Sequence, residues 1–271
     1  MCARLLGILL GALTLGGNAG CTWISALGSD QRGLQYGKTW FIGGAGGVGN
    51  VVGTFDVPKG LRQAKYRGAI EVFAWQAVIG GTLRDQIDRS RSEDEARRLA
   101  KLIEAYMDKY PGRRVNIIAL SAGTGIAAWA LQALPQRYHV GTAVFLGSSL
   151  SREFDLSGSL RRIDGHLYSF HSPDDPLLRF GLLITGPVDR EGYLSGAAGL
   201  YGFTVPPKAN EETQRLYREK LRLQPYNPEY AKYGYHGMHA DSTSPSFIEH
   251  VIAPLLAEPV SSAPATQRAA P

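Results

Sequence analysis

Val115-Asn-Ile-Ile-Ala-Leu-Ser-Ala-Gly-Thr-Gly125 is the stretch on which the reading of this chain turns. Residues 114–120 form a nearly unbroken apolar run, the pattern of a strand buried on both faces. Ser121 ends that run, and residues 125–134 follow as a small-residue helix stopped by Pro135. A strand that passes into a helix through one serine leaves the hydroxyl on a tight turn at the end of a sheet. The small neighbours have a steric reason. Side chains two residues before and after such a turn would strike the adjoining strand and helix, and here those positions are Ala119 and Gly123.

The flanking sequence repeats the alternation of strand and helix. Residues 39–42, 68–75, 142–146 and 166–170 are short apolar runs that read as strands. Residues 93–110 read as a helix, with Ala96, Leu99, Ala100, Ile103 and Tyr106 at helical spacing and Pro111-Gly112 as the stop. This order predicts an α/β fold, a mostly parallel central sheet with helices on both faces. Residues 181–236, rich in Gly, Pro and Tyr, are expected to be loops with one helix at 210–221, and a last helix is expected at 247–256. Tyr193, Tyr201, Phe203, Tyr226, Tyr230 and Tyr233 either line an apolar cleft there or pack over an irregular surface.

The segment around Ser121 resembles the nucleophile elbow of the α/β hydrolases, G-x-S-x-G, with Ala119 in place of the first glycine. The resemblance covers residues 38 to about 256. It implies a reduced α/β-hydrolase fold, because the short stretch before Thr39 has no room for the two extra N-terminal strands of the full fold. It further implies a serine hydrolase of carboxylic esters, esterase- or lipase-like, working through an acyl-enzyme on Ser121 without a metal or organic cofactor. The family's chain order is nucleophile, acid, base. Asp175-Pro-Leu-Leu178 matches the family's acidic loop, which makes Asp175 the acid and Asp174 its alternate. Gly234-Tyr-His-Gly-Met-His-Ala-Asp241 offers His239 as base, by its distance from the last helix, with His236 as the alternate. The oxyanion hole implied by the resemblance takes N–H groups from Ala122 and from the loop after the first strand, Ala45 first and Gly44 next.

That loop has a second reading. Gly44-Ala-Gly46-Gly-Val-Gly49 satisfies G-x-G-x-x-G, the dinucleotide-binding fingerprint of an oxidoreductase. The next strand, however, ends Phe73-Ala-Trp75-Gln76, without the acid that holds a ribose hydroxyl. A third reading is a non-catalytic α/β-hydrolase-like binding protein of the cell envelope, kept open by Ala119 and by the choice between two histidines.

Composition bounds these readings. The 271 residues suit one α/β domain, and 44% hydrophobic residues suffice for a packed core. The net charge of +5 comes from interleaved acids and bases, as in residues 89–98, which reads as a solvated face and excludes nucleic acid as a partner. Arg4, the apolar residues 5–15 and the small residues up to Cys21 form an export signal too short to span a bilayer. Ala19-Gly20-Cys21 resembles a bacterial lipoprotein box, although Asn18 stands where an aliphatic residue is preferred. The implication is a lipid anchor at Cys21 and a periplasmic or cell-envelope location; an ordinary secretory signal is the alternative. The cysteines, Cys2 and Cys21, both fall in the signal region, so the domain has no disulfide and no thiol nucleophile. The expected organisation is signal 1–21, linker 22–37, domain 38–256 and disordered tail 257–271. The expected partners are a small-molecule or lipid ester and, through the anchor, a membrane.

Overall fold

In the computed structural model of the chain the described residues are 19–46, 51–76, 88–189 and 196–257, the side chains of 19–23 and 181–185 excepted. Strands β1 (Lys38–Ile42), β2 (Ala69–Phe73), β3 (Val115–Leu120), β4 (Thr142–Leu146), β5 (Leu167–His171) and β6 (Leu221–Pro225) form one parallel sheet. Their order is β2-β1-β3-β4-β5-β6. The chain leaves β1 toward β2 and returns to β3 on the other side of β1, so the order reverses between β1 and β3. Loops at the carboxyl ends of strands diverge at such a point and open a crevice. The dinucleotide-binding order 3-2-1-4-5-6 is a different one.

The longer helices are α1 (Ala19–Gly28), α2 (Asp56–Gln63), α3 (Arg89–Lys109), α4 (Gly123–Ala133), α5 (Pro176–Thr185), α6 (Glu211–Lys220) and α7 (245–257), the last with a π turn at Ile248–Ile252; single helical turns stand at Ser157–Leu160 and Ala198–Tyr201. Because side chains alternate along a strand, each strand feeds two cores. Trp40, Ile42, Ile117, Ala119 and Phe145 pack with α3 and α4. Phe41, Ile118, Leu120 and Leu146 pack with Val57 and Leu61 of α2 and with Phe247 and Ile252 of α7. Each fully buried side chain of this size contributes about 1.5–3 kcal/mol. The double-sided burial is why the strands read as unbroken apolar runs.

Several boundaries differ from expectation. Helix α3 begins at Arg89, a turn earlier than predicted, because the Asp88 side chain caps it by accepting the Arg91 N–H at 3.0 Å. Strand β6 was not expected. It is an edge strand, Leu221-Arg-Leu-Gln-Pro225, with Leu223 42% exposed, so it lacks the apolar run of the inner strands.

Residues 22–37, expected as a linker, are instead held against the domain. Helix α1 runs to Gly28, and Asp30 exchanges backbone hydrogen bonds of 2.7 and 2.8 Å with Ile70, covering the free edge of β2. Residues 1–18 and 258–271, which hold most of the expected signal and tail, lie outside the described residues, as does the Cys21 side chain. Among the described residues no helix is long and apolar enough to cross a membrane.

The aromatic residues of the 181–236 region mostly pack inward. Phe203 is buried against Phe145, and Tyr230 lies with Tyr235 and Phe247 in the α7-side core. Tyr226 and Tyr233 join the same core, Tyr201 is exposed, and Tyr193 is outside the described residues.

Candidate active site

Ser121 has φ 55°, in the left-handed region. A residue with a Cβ is destabilised there by roughly 1–2 kcal/mol. Backbone hydrogen bonds hold it in place. Its N–H donates to Leu146 O at 3.0 Å, and its carbonyl accepts from the Thr124 N–H at 3.0 Å and the Thr124 hydroxyl at 2.6 Å. At Gly123, an added Cβ would lie 2.4 Å from both the Ile42 and Gly43 carbonyl oxygens, so only glycine fits two residues after the serine. Two residues before it, the Ala119 methyl is fully buried in the core on the α3 and α4 side. That side of the turn has room for a methyl group, which accounts for alanine in the motif.

The candidate acid and base meet beside this turn. Asp175 sits between β5 and α5 and is 2% exposed. Its Oδ1 accepts the N–H groups of Leu177 and Leu178 at 3.0 and 3.1 Å, capping α5, with Pro176 in the first helical position. Its Oδ2 lies 2.6 Å from His239 Nδ1. An ionised carboxylate only accepts, so Nδ1 carries the proton and Nε2 is left as the basic nitrogen. His239 opens the 3-10 turn Ala240–Thr243 ahead of α7, and its side chain is 12% exposed.

Gly147, directly after β4, explains how the serine and the histidine come to one place. It has φ 48°, and a Cβ there would lie 3.1 and 3.2 Å from Nδ1 and Cε1 of His239 and 3.5 Å from Asp175 Oδ2. The same peptide unit supplies the Leu146 carbonyl that holds Ser121. Among the described residues no hydrogen bond joins Ser121 Oγ to His239, a contact that in free enzymes commonly closes only around substrate. Gly147→Ala is therefore expected to push the imidazole off line while the fold survives. A misplacement of about 1 Å at such a site can cost about a hundredfold in rate. Any reaction that depends on the His239 imidazole should slow by about ten- to a hundredfold, and a crystal structure of the variant should locate a shifted His239 ring.

The alternates stand elsewhere. Asp174 is exposed, and His236, with 62% of its side chain exposed, pairs at 3.4 Å with Asp241 Oδ2. Ala122 immediately precedes α4, at the positive end of the helix. Gly44 and Ala45 follow β1, whose last residue, Ile42, is registered with Ala119 of β3. Gly46 has φ 74°; Gly49 of the dinucleotide fingerprint lies outside the described residues. Sequence reasoning missed Gly147, whose only signal was a glycine directly after a strand.

A serine turn after β3, a carboxylate after β5, a histidine ahead of the last helix and this strand order define an α/β-hydrolase type of fold. No family model and no curated protein matches the chain. Among solved structures it is similar to a candidate esterase from Staphylococcus aureus, with TM-score 0.44 and 10% identity over 83% of this chain and 77% of that one. It is also similar to a lipase/esterase from Lactobacillus plantarum, with TM-score 0.38 and 10% identity over 71% of this chain and 77% of that one.

Proposed function

We propose that this chain is a serine hydrolase of carboxylic esters that works through an acyl-enzyme on Ser121. The observation that carries the reading is the 2.6 Å contact of Asp175 with His239 beside a serine at φ 55°. A serine hydroxyl is a poor nucleophile near neutral pH and needs a positioned base. In the proposed reaction His239 Nε2 takes the Ser121 proton as Oγ attacks the ester carbonyl. The oxyanion formed faces the N–H groups of Ala122 and Ala45. Collapse breaks the bond to the alcohol oxygen, which receives the proton from His239, and water then releases the acid by the same steps. Asp175 holds the imidazole tautomer and stabilises the imidazolium. Exposed Leu177, Phe180 and Met238, close in sequence to Asp175 and His239, favour an ester with an apolar portion. The Ala19-Gly20-Cys21 box supports attachment of the enzyme to a membrane by a lipid on Cys21.

The test is labelling of the purified full chain with a fluorophosphonate, followed by peptide mapping by mass spectrometry. The expected result is a single phosphonyl adduct on the peptide containing Ser121, and the same digest reads an acylated or free Cys21. A folded chain without an adduct would favour the non-catalytic binding protein.

A further inference from the structure

The segment directly after β2 carries two large buried side chains that reach the loop after β1. Trp75 Nε1 donates to the Gly43 carbonyl at 2.9 Å, and Gln76 Nε2 donates to the Gly44 carbonyl at 2.8 Å. The two are 1% and 3% exposed. Gln76 also accepts the Trp75 N–H on Oε1 at 3.2 Å, so its amide is oriented at both ends. The backbone beneath them is itself anchored to α3, since Arg91 donates to the Trp75 carbonyl and Arg98 to the Ala74 carbonyl. Gln76 is a buried amide, and a buried amide is held by what it bonds.

In a trans peptide the N–H points opposite to the carbonyl of the preceding residue. Gln76 draws the Gly44 carbonyl toward the β2 side of β1, which turns the Ala45 N–H the other way. In the order β2-β1-β3 the other way is toward β3 and the serine turn. We infer that Gln76 is a positioning residue for the oxyanion hole, fixing the Gly44–Ala45 peptide so that the Ala45 N–H faces the oxygen of the tetrahedral intermediate. Trp75 anchors the preceding peptide through the Gly43 carbonyl, which also lies against Gly123 of the serine turn. The inference rests on the serine-hydrolase reading and adds a donor-orienting role to it. Glycines at 43 and 44 make the loop pliable enough to reach a substrate, and a pliable loop needs an outside clamp to keep its donors aimed.

The test is steady-state hydrolysis of a p-nitrophenyl ester by wild type, Gln76→Met and Gln76→Glu, with thermal unfolding of each. Gln76→Met keeps the bulk and loses the donor. It should lower kcat by about ten- to a hundredfold with KM nearly unchanged, because the interaction is made with the transition state only. In Gln76→Glu the introduced carboxyl regains an O–H donor when protonated, so its kcat relative to wild type should rise as the pH falls. A general packing role would move KM or the unfolding temperature and would not give this pH signature. An active wild type whose Gln76→Met variant keeps its kcat overturns the positioning role alone. A folded wild type that neither turns over ester nor takes the phosphonate overturns the hydrolase reading and this role with it.

Discussion

Ser121→Ala is expected to lower kcat by about a million-fold while KM stays within a few-fold of wild type. In Ser-His-Asp hydrolases, the class proposed for this chain, loss of the nucleophile costs about as much as loss of the whole triad, and the remainder comes from binding and the oxyanion hole. The fold should not suffer. The Ser121 hydroxyl makes no hydrogen bond among the described residues, and the backbone bonds to Leu146 and Thr124 do not involve it. Stability offers an independent reading of the same residue. Since Ser121 sits at φ 55°, Ser121→Gly removes the Cβ conflict and should be inactive yet no less stable than wild type. Under the proposed function, a serine kept where glycine is more comfortable is strain retained for the chemistry. The measurements are ester hydrolysis and thermal unfolding on the two variants. An alanine variant with wild-type kcat would place the nucleophile elsewhere.

What the sequence disclosed, and what it hid, divides along physical lines. Strands β1 to β5 are legible because both faces are buried, so composition alone marks them. Edge strand β6 is half exposed, and its alternation in five residues is indistinguishable from the end of α6. The sequence favours Asp175 over Asp174 only through the likeness of Asp175-Pro-Leu-Leu178 to the family's acidic loop; that Asp175 also caps α5 becomes visible only in the structure. The preference for His239 over His236 rests in the sequence on distance from the last helix alone, and the turn that parts the two side chains has no local pattern to announce it. Gly237 has φ 84°, and a Cβ on it would lie 2.9 Å from Ser172 Oγ. That close approach leaves His236 outside and carries His239 over Gly147. Gly147, Trp75 and Gln76 act across strands that are far apart in sequence, so their importance exists only once the sheet is assembled. The tyrosines of the 181–236 region look alike in sequence, and only packing tells Tyr230, in the core, from Tyr201, on the surface.

Asp175→Asn is expected to lower kcat by about ten-thousandfold, roughly 5.5 kcal/mol in the barrier, without unfolding the protein. The two oxygens of Asp175 have different tasks. Oδ1 caps α5 by accepting the N–H groups of Leu177 and Leu178, and Oδ2 accepts from His239 Nδ1. An amide has one oxygen. Two backbone donors claim it, so the NH2 group turns to the imidazole. Facing a donor, His239 must present Nδ1 as an acceptor and carry its proton on Nε2, where it can no longer take one from Ser121. The helix keeps its cap, so the variant should stay folded, and the loss is one of tautomer. Asp174→Asn and His236→Ala touch exposed side chains and should leave kcat within about twofold, whereas His239→Ala should be as inactive as Ser121→Ala. Kinetics on the four variants, with the proton position on the imidazole read by nitrogen NMR, separate the assignments. A loss that follows His236 or Asp174 would move the base or the acid to the exposed pair, and an Asp175→Asn variant with the wild-type tautomer would leave its lost activity to some cause other than the amide.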